Sequence, residues 1–298
     1  MPQPLIILCP ARSYSSIVCG MIGQHPDCYG LPEVNLFLGE TLGEVWNNNP
    51  MVMRVIGRDG LLRTLAQLHE GAQTADTVAH AQEWASQRLD WPVRKVFDHI
   101  QELVGDKILV EKSPSTTFRR EFIERMLRVY PKASILHLIR HPRGTGESLV
   151  SLRSGFEQLN RAVANSAAMD PERIWRGAHG LIMTLTAGLP LGQCMRIKGE
   201  ALLTDLDTYL PQICEWLEIR SDAEAIDAMM HPERSPYACP GPPGAPRGND
   251  PNFLTAPAID RARLAKIKEP SLEGELNWRP GQMFAAETRR VAKQLGYQ

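Results

Sequence analysis

Short apolar segments that alternate with longer amphipathic ones constrain the fold of this chain more than any other feature. Four short segments have the continuous apolar character of buried strands: Pro4–Cys9, Lys107–Val110, Ser134–Ile139 and Gln193–Ile197. Between the second and the third, apolar residues recur along one helix face at Phe118, Phe122, Met126 and Val129. A strand, a helix and a further strand form a βαβ unit, which builds a parallel sheet through right-handed crossovers. The pattern predicts a single α/β domain.

Longer helical segments account for much of the remaining chain. Residues 52–105 are predicted to be largely helical and to pack over the sheet or to cover a site. Two later helices are predicted over Asp207–Ile219 and Ala285–Leu295, the second ending at Gly296. Proline and glycine recur so densely in Cys239–Asp250 that this segment is predicted to be irregular. A long ordered loop of this kind is often functional.

The balance of charge argues against a nucleic-acid partner. The chain has 33 Lys and Arg residues against 34 Asp and Glu residues, a net charge of −1. It therefore lacks the basic field that holds nucleic acid, and a small molecule is the expected partner. The N-terminal segment lacks the features of a signal peptide, and no later apolar stretch is long enough to span a bilayer. Because the six cysteines are scattered and form no C-x-x-C pair, we expect a cytoplasmic protein without a metal site.

A cluster of hydroxyl groups follows the first predicted strand. Between that strand and a predicted helix stand Arg12, Ser13, Tyr14, Ser15 and Ser16. In an open α/β sheet, ligands bind beyond the carboxyl ends of the strands. Hydroxyls at a helix N-terminus lie beside unpaired N–H groups that attract anions, and the arginine adds a charge in a fork geometry. The segment is predicted either to bind phosphate or simply to cap the helix. It lacks the lysine of a Walker A loop.

Two further cations follow the next predicted strands. Lys112 comes directly after the second strand, within Glu111–Pro114, and Arg140 comes after the third. The carboxyl ends of parallel strands meet at one edge of a sheet, so Arg12, Lys112 and Arg140 are expected to converge there. Three converging cations predict a site for a polyanion. A salt bridge to a neighbouring acid is the alternative for Lys112.

Four segments together resemble the sulfotransferases that use 3′-phosphoadenosine-5′-phosphosulfate (PAPS). Residues 12–16 resemble the 5′-phosphosulfate loop of that family, usually R-S-G-T-T, and Arg140 and Ser148, eight residues apart, are similar to its 3′-phosphate motif. Glu111–Pro114 is similar to its E-K-[ST]-P segment. Gly199–Leu203 resembles its late Y-E-D-L segment, with glycine where tyrosine is usual. The match extends from residue 4 to about residue 220.

This resemblance implies a P-loop-NTPase-like fold in three layers, a central parallel sheet flanked by helices, with residues 1–298 forming one domain. It implies metal-independent transfer of a sulfuryl group from PAPS to a hydroxyl of a small-molecule, saccharide, lipid or carrier-bound acceptor. The product nucleotide would be 3′,5′-adenosine diphosphate (PAP). The 5′-phosphosulfate would be bound by Arg12, Ser13, Tyr14, Ser15 and Ser16, and the 3′-phosphate by Arg140 and Ser148. Arg12 and Lys112 would neutralise the leaving group, and residues 52–105 and 150–190 would shape the acceptor pocket.

The resemblance also bears on the general base. Many members place a histidine two residues beyond the strand-end lysine, where this chain has Pro114. Members with the tyrosylprotein type of layout use a glutamate downstream of the first helix. Glu33, which stands 21 residues after Arg12, has the spacing that this layout implies. A partly buried carboxylate beside the acceptor can act as a base. The alternative is an ordinary loop or N-cap glutamate before the helix that carries Leu36 and Phe37.

Two places depart from the pattern of the family. Tyr14 replaces the loop glycine, a residue that lets the backbone approach phosphate closely and often has a positive φ. The tyrosine is expected to reshape the loop or to place its ring over the donor. Arg247-Gly248 resembles a late R-K-G segment without the lysine. Residues 235–256 are expected to form an irregular loop over the donor site, with Arg247 and Gly248 at the 3′-phosphate. The alternative is a solvated surface loop.

Two rival functions remain open at this point. A P-loop kinase for a small molecule is disfavoured by the missing Walker lysine. A non-enzymatic relative that binds nucleotide without turnover is supported by Tyr14 and by the missing lysine of the late segment.

Overall fold

The computed structural model describes residues 2–47, 51–156 and 170–298. Its strands are β1 (Leu5–Leu8), β2 (Cys28–Gly30), β3 (Ile108–Glu111), β4 (Ser134–Ile139) and β5 (Cys194–Lys198). They form one parallel sheet in the order β2–β3–β1–β4–β5. The four predicted strands are confirmed as β1, β3, β4 and β5, each within a residue of its predicted bounds. Strand β2 was not predicted, because three residues at a sheet edge are too few to show an apolar pattern.

Helices connect and flank these strands. They are α1 (Ser15–Ile22), α2 (Leu42–Asn47), α3 (Met51–Glu70), α4 (Ala75–Ser86), α5 (Val93–Val104), α6 (Arg120–Val129), α7 (Pro142–Phe156), α8 (Pro171–Thr186), α9 (Gly199–Thr204), α10 (Leu206–Trp216), α11 (Ala223–Met229), α12 (Pro251–Thr255), α13 (Arg261–Leu264) and α14 (Ala286–Gln294). Short 3₁₀ turns cover Leu36–Leu38, Pro114–Thr117 and Pro232–Arg234. The helical character predicted for residues 52–105 is confirmed by α3, α4 and α5. Of the predicted 150–190 element, residues 157–169 lie outside the described residues.

The two faces of the sheet pack into separate apolar clusters. Successive side chains of a strand point to opposite faces, so Ile6 and Leu8 of β1 join one cluster and Leu5 and Ile7 join the other. Helices α3, α5 and α6 pack in the first cluster, and α1, α9 and α10 pack in the second. The fold is thus the three-layer α/β arrangement that the resemblance implied.

The helix predicted around Phe118 begins later than its pattern indicates. Phe118 follows the 3₁₀ turn and is 52% exposed, and Arg119 is still in an extended conformation. The helix α6 buries Ile123 and Met126 instead. The two C-terminal helices lie close to their predicted positions, and Gly296 with φ 89° follows the last of them.

Membrane spans and metal clusters are both missing from the described part of the chain. No helix in the described ranges is both long and apolar enough to cross a membrane. Within the same ranges, His, Cys, Asp and Glu side chains nowhere gather in a group of three that could hold a metal ion.

Candidate functional site

The loop between β1 and α1 makes a tight turn through two left-handed residues. Arg12 has φ 67° and Tyr14 has φ 64°, a region that residues other than glycine seldom adopt. Tyr14 therefore keeps the backbone conformation that a glycine would adopt there freely. It is the N-cap residue of α1, and its side chain makes no capping hydrogen bond. The Ser13 hydroxyl is buried and has no hydrogen-bond partner among the described residues.

Arg12, Arg140 and Ser148 come together from three separate elements. Nε of Arg12 donates to Oγ of Ser148 in α7 at 2.9 Å. Nη1 of Arg140, which directly follows β4, donates to the backbone carbonyl of Arg12 at 2.7 Å. The carbonyl of Arg140 in turn accepts from the indole N–H of Trp175 at 2.8 Å. The predicted convergence of cations at the carboxyl edge of the sheet is therefore present for these two arginines.

A cavity of about 450 Å³ opens beside this cluster. At one end its polar lining includes Arg12, Arg140 and Ser148, together with Tyr14 and Ser16, and elsewhere it includes Asp250, Asp260 and Arg263. The remaining lining includes apolar side chains, among them Leu203, Ile259, Leu264 and Ile267. A cationic end joined to an apolar region suits a ligand that has both anionic groups and a flat apolar part.

Lys112 connects this donor-side loop to the proposed base. Its ammonium group donates to Oγ of Ser16 and to Oε1 of Glu33, each at 2.8 Å. The lysine side chain is 1% exposed and the glutamate side chain 22%. A buried charge must be paired to be tolerated. Lys112 therefore does form a salt bridge, but its partner Glu33 is 79 residues away in sequence and is not a neighbouring acid.

The segment that carries Glu33 is fixed by Asn35, a residue that the sequence did not single out. Asn35 is buried and has φ 55°. Its backbone N–H donates to Oγ of Ser113 at 2.9 Å, and its amide nitrogen donates to the carbonyl of Glu33 at 3.0 Å. The Ser115 hydroxyl donates to its amide oxygen. Asparagine tolerates the left-handed region better than most residues, and this was the one available signal.

Glu111 is a second residue that the sequence singled out only as part of a motif. It ends β3, is completely buried, and accepts a hydrogen bond from the Ser113 hydroxyl. Its other carboxylate oxygen has no partner among the described residues. Burial raises the pKa of this carboxyl group to about 7.

Arg247 and Gly248 lie beside Glu33 and do not line the cavity among the described residues. The Gly248 carbonyl accepts from the Glu33 N–H at 2.7 Å. The Arg247 N–H donates to Asp59 at 2.9 Å, and buried Arg63 donates to the Arg247 carbonyl at 2.8 Å. Their backbone is therefore anchored on helix α3 near the proposed base. The contact predicted with the 3′-phosphate stays a prediction.

The late loop reaches the cavity from Asp250 onwards, and Asp250 is a residue that the sequence did not indicate. Its carboxylate forms an ion pair with Arg12, and its N–H donates to Oγ of Ser16 at 3.1 Å. The other carboxylate oxygen accepts from the N–H of Asn252 at 2.8 Å and so caps α12. The arginine that is predicted to bind the donor is thus paired with the carboxylate of Asp250.

The late Gly199–Leu203 segment begins α9 next to the strand end that carries Arg140. Glu200 accepts from the backbone N–H of His141 at 2.8 Å and from the Tyr297 hydroxyl at 3.1 Å. Burial lowers the pKa of His141 to about 3, so this imidazole is neutral at physiological pH. The segment therefore braces the strand end.

Two solved structures share this fold, and a family model identifies the family. The sulfotransferase domain from the curacin biosynthetic pathway superposes with a TM-score of 0.80 at 23% identity, covering 100% of this chain and 99% of that one. The sulfotransferase domain from the Synechococcus PCC 7002 olefin synthase gives 0.75 at 24% identity, with 100% and 95% covered. No curated protein matches the chain significantly. A family model described as "Sulfotransferase family" matches residues 4–223. The chain therefore belongs to the sulfotransferase family.

Proposed function

We propose that the protein transfers a sulfuryl group from PAPS to an acceptor hydroxyl. Arg12 and the loop residues Ser13, Tyr14, Ser15 and Ser16 would hold the 5′-phosphosulfate, and Arg140 and Ser148 the 3′-phosphate. Glu33 would be the general base, and Lys112 and Arg12 would neutralise the leaving group. Arg247 and Gly248, placed beside Glu33, complete the set of residues assigned from the sequence.

The observation that carries this proposal is the cavity that Arg12, Arg140 and Ser148 line together. Two buried donors at this place, the Ser13 hydroxyl and Nε of Arg140, have no partner among the described residues. Buried polar groups are almost always paired, and a ligand with anionic oxygens would supply partners for both donors. The ion pair between Arg12 and Asp250 supports the same view. The Asp250 carboxylate places an anionic oxygen against Arg12, where an anionic oxygen of the donor would bind.

The contacts of Lys112 support the assignment of roles. In sulfuryl transfer, the acceptor oxygen forms a bond to sulfur while the bond from sulfur to the bridging phosphate oxygen breaks. The hydroxyl proton passes to the Glu33 carboxylate, and PAP leaves with the electron pair. A positioned cation stabilises the charge that develops on a leaving oxygen. The Lys112 ammonium bridges the Ser16 hydroxyl and Glu33 at 2.8 Å, so base and cation lie side by side.

The proposed acceptor is a hydroxyl group of a small molecule, a saccharide, a lipid or a carrier-bound compound. The two similar structures come from a biosynthetic pathway and from an olefin synthase, which supports a biosynthetic small molecule or carrier-bound group as acceptor. Saccharide and lipid hydroxyls are the comparison compounds in an acceptor screen.

Thermal shift with nucleotides tests the donor assignment. PAP at about 100 times its Kd should stabilise the fold by roughly 2.7 kcal/mol, whereas ATP with or without Mg²⁺ should shift the unfolding temperature less. A larger Mg²⁺-dependent shift with ATP would favour a kinase instead. No shift with PAP would contradict the donor assignment.

Replacing Glu33 by glutamine tests the base. Glu33→Gln should lose turnover at least about 100-fold while its Kd for PAP stays within about twofold of wild type. Glu121→Gln, at an exposed ion pair on α6, is the matched control and should keep full activity. Full activity of Glu33→Gln would overturn the base assignment. If the wild-type protein bound PAP but showed no turnover with any acceptor, a non-enzymatic relative would be favoured.

A further inference from the structure

Tyr14 packs its ring against the guanidinium group of Arg140. The carbon at the centre of that group lies 4.2 Å from the ring centroid, within the range of a cation–π interaction. Both residues line the cavity that holds the proposed donor site. The ring is therefore one wall of the site and at the same time a contact of Arg140, one of the arginines that line it.

Gly199 is a glycine because the ring of Tyr14 occupies the space of its side chain. A Cβ added at Gly199 would lie 2.7 Å from Cδ2 of Tyr14 and 3.2 Å from the Ile139 carbonyl. The backbone of Gly199 needs no positive φ, and a glycine is a poor residue within a helix. Space therefore explains the glycine, and backbone conformation does not. The tyrosine that replaces the loop glycine of the family and the glycine that replaces its late tyrosine therefore lie against each other.

Arg140 is held at three of its groups, and the ring supplies one of these contacts. Its Nη1 donates to the Arg12 carbonyl and its own carbonyl accepts from Trp175. These bonds fix the position of the strand end and one tip of the guanidinium group. The ring of Tyr14 fixes the plane of that group, with buried Nε left unpaired among the described residues.

We propose that Tyr14 is a positioning residue for Arg140 and that Gly199 is its structural counterpart, the two forming one unit of the donor site. The ring face of Tyr14 sets the orientation in which Arg140 meets the 3′-phosphate. The empty side-chain position of Gly199 admits the ring. This inference rests on the proposed function, because it takes the cavity at Arg140 to be the site of the 3′-phosphate.

Two substitutions at Tyr14 distinguish the effect of the aromatic ring on PAP binding from the effects of the hydroxyl group and of side-chain size. Tyr14→Phe keeps the ring, and Tyr14→Leu removes it. Neither substitute is β-branched, so both should place similar demands on the positive φ. The Kd values of PAP and of 5′-AMP are measured by calorimetry. We expect Leu to weaken PAP binding about 5-fold or more relative to Phe, and to weaken 5′-AMP binding by a clearly smaller factor.

A different set of affinities would overturn the role of the ring. Equal Kd values for PAP in wild type and Tyr14→Leu would contradict it, as would an equal loss in Tyr14→Phe. Parallel losses of PAP and 5′-AMP would indicate a purely structural effect. If the wild type itself did not bind PAP, the proposed function would fail, and the inference with it.

A second experiment tests the pairing with Gly199 without any nucleotide. Gly199→Ala should lower the midpoint of urea unfolding in the wild-type background and should do so much less in Tyr14→Gly, where the ring is gone. Gly180→Ala in α8, where an added Cβ meets nothing within 4 Å, is the matched control in both backgrounds. Equal effects of Gly199→Ala in the two backgrounds would show that the ring is not what excludes the side chain.

Discussion

Lys112 and Glu33 form a 2.8 Å ion pair in which the ammonium group is buried and the carboxylate reaches the surface. The lysine is buried because it directly follows β3, which is an inner strand of the sheet. The glutamate comes from the segment after β2. The pair therefore joins two neighbouring strand ends through side chains, and the third partner, Ser16, adds the loop after β1. The Glu33 carboxylate and the loop after β1 thus meet at one buried atom, Nζ of Lys112.

Removing the charge of Lys112 should damage turnover more than nucleotide binding. Lys112→Met keeps most of the stem and removes the ammonium group, so the leaving oxygen loses a cation. We expect kcat to fall about 100-fold or more and the Kd of PAP to rise only a few-fold. Lys132→Met, at an exposed position, is the control. A kcat like that of wild type would contradict a role for Lys112 in stabilising the leaving group.

Gly60 allows helix α3 to approach the backbone of the Glu33 segment. A Cβ at this position would lie 2.1 Å from the Glu33 carbonyl oxygen, whereas one at Gly57 on the same helix meets nothing nearer than 3.9 Å. Gly60→Ala should therefore displace the proposed base, lowering turnover about 10-fold or more and stability by about 1–3 kcal/mol. Gly57→Ala should keep turnover and gain up to about 1 kcal/mol. Turnover assays and urea unfolding of Gly60→Ala and Gly57→Ala measure these changes in turnover and stability.

The sequence predicted what depends on local pattern and on sheet geometry. Strand positions follow from runs of apolar residues, and the residue after each strand must lie at the carboxyl edge. Arg12 and Arg140 could therefore be placed together from the sequence alone, whereas Lys112, predicted with them, contacts Ser16 and Glu33. Such reasoning works because a parallel sheet brings its strand ends together regardless of chain distance.

What the sequence missed depends on contacts between distant segments. The pairing of Arg12 with Asp250 spans 238 residues, and no periodicity marks it. The late loop was predicted to be irregular, but its course is set by Asp59 and Arg63 on α3, which bind the backbone of Arg247. Proline and glycine predict that a segment is irregular, and they do not predict which surface it contacts.

We predict that Asp250 competes with the proposed donor for Arg12. Its carboxylate holds the guanidinium group and adds a negative charge to a site for an anionic ligand. Asp250→Asn keeps the oxygen that caps α12 and removes the charge. We expect PAP to bind about 3- to 10-fold more tightly, since an ion pair near the surface contributes about 1 kcal/mol. Calorimetry at two salt concentrations measures the change.

The matched control for this change is Asp260→Asn. Asp260 also lines the cavity and caps the next short helix, where its carboxylate accepts from the backbone N–H of Arg263. A smaller gain in affinity is expected from it. If Asp250→Asn bound PAP more weakly than wild type, Asp250 would be a residue that holds Arg12 in place for the donor.

The stability of the fold should depend on pH through Glu111. Burial raises its pKa from 4.5 to about 7, so the folded protein holds this proton more strongly than the unfolded chain does. The resulting stabilisation is fully present below pH 4.5 and is lost as the pH rises through 7. Relative to Glu111→Gln, the wild-type free energy of unfolding should fall between these values, by at most about 1.4 kcal/mol per pH unit. Urea unfolding of both proteins at about pH 5, 6, 7 and 8 measures this difference, and parallel curves would show that Glu111 does not titrate in this window.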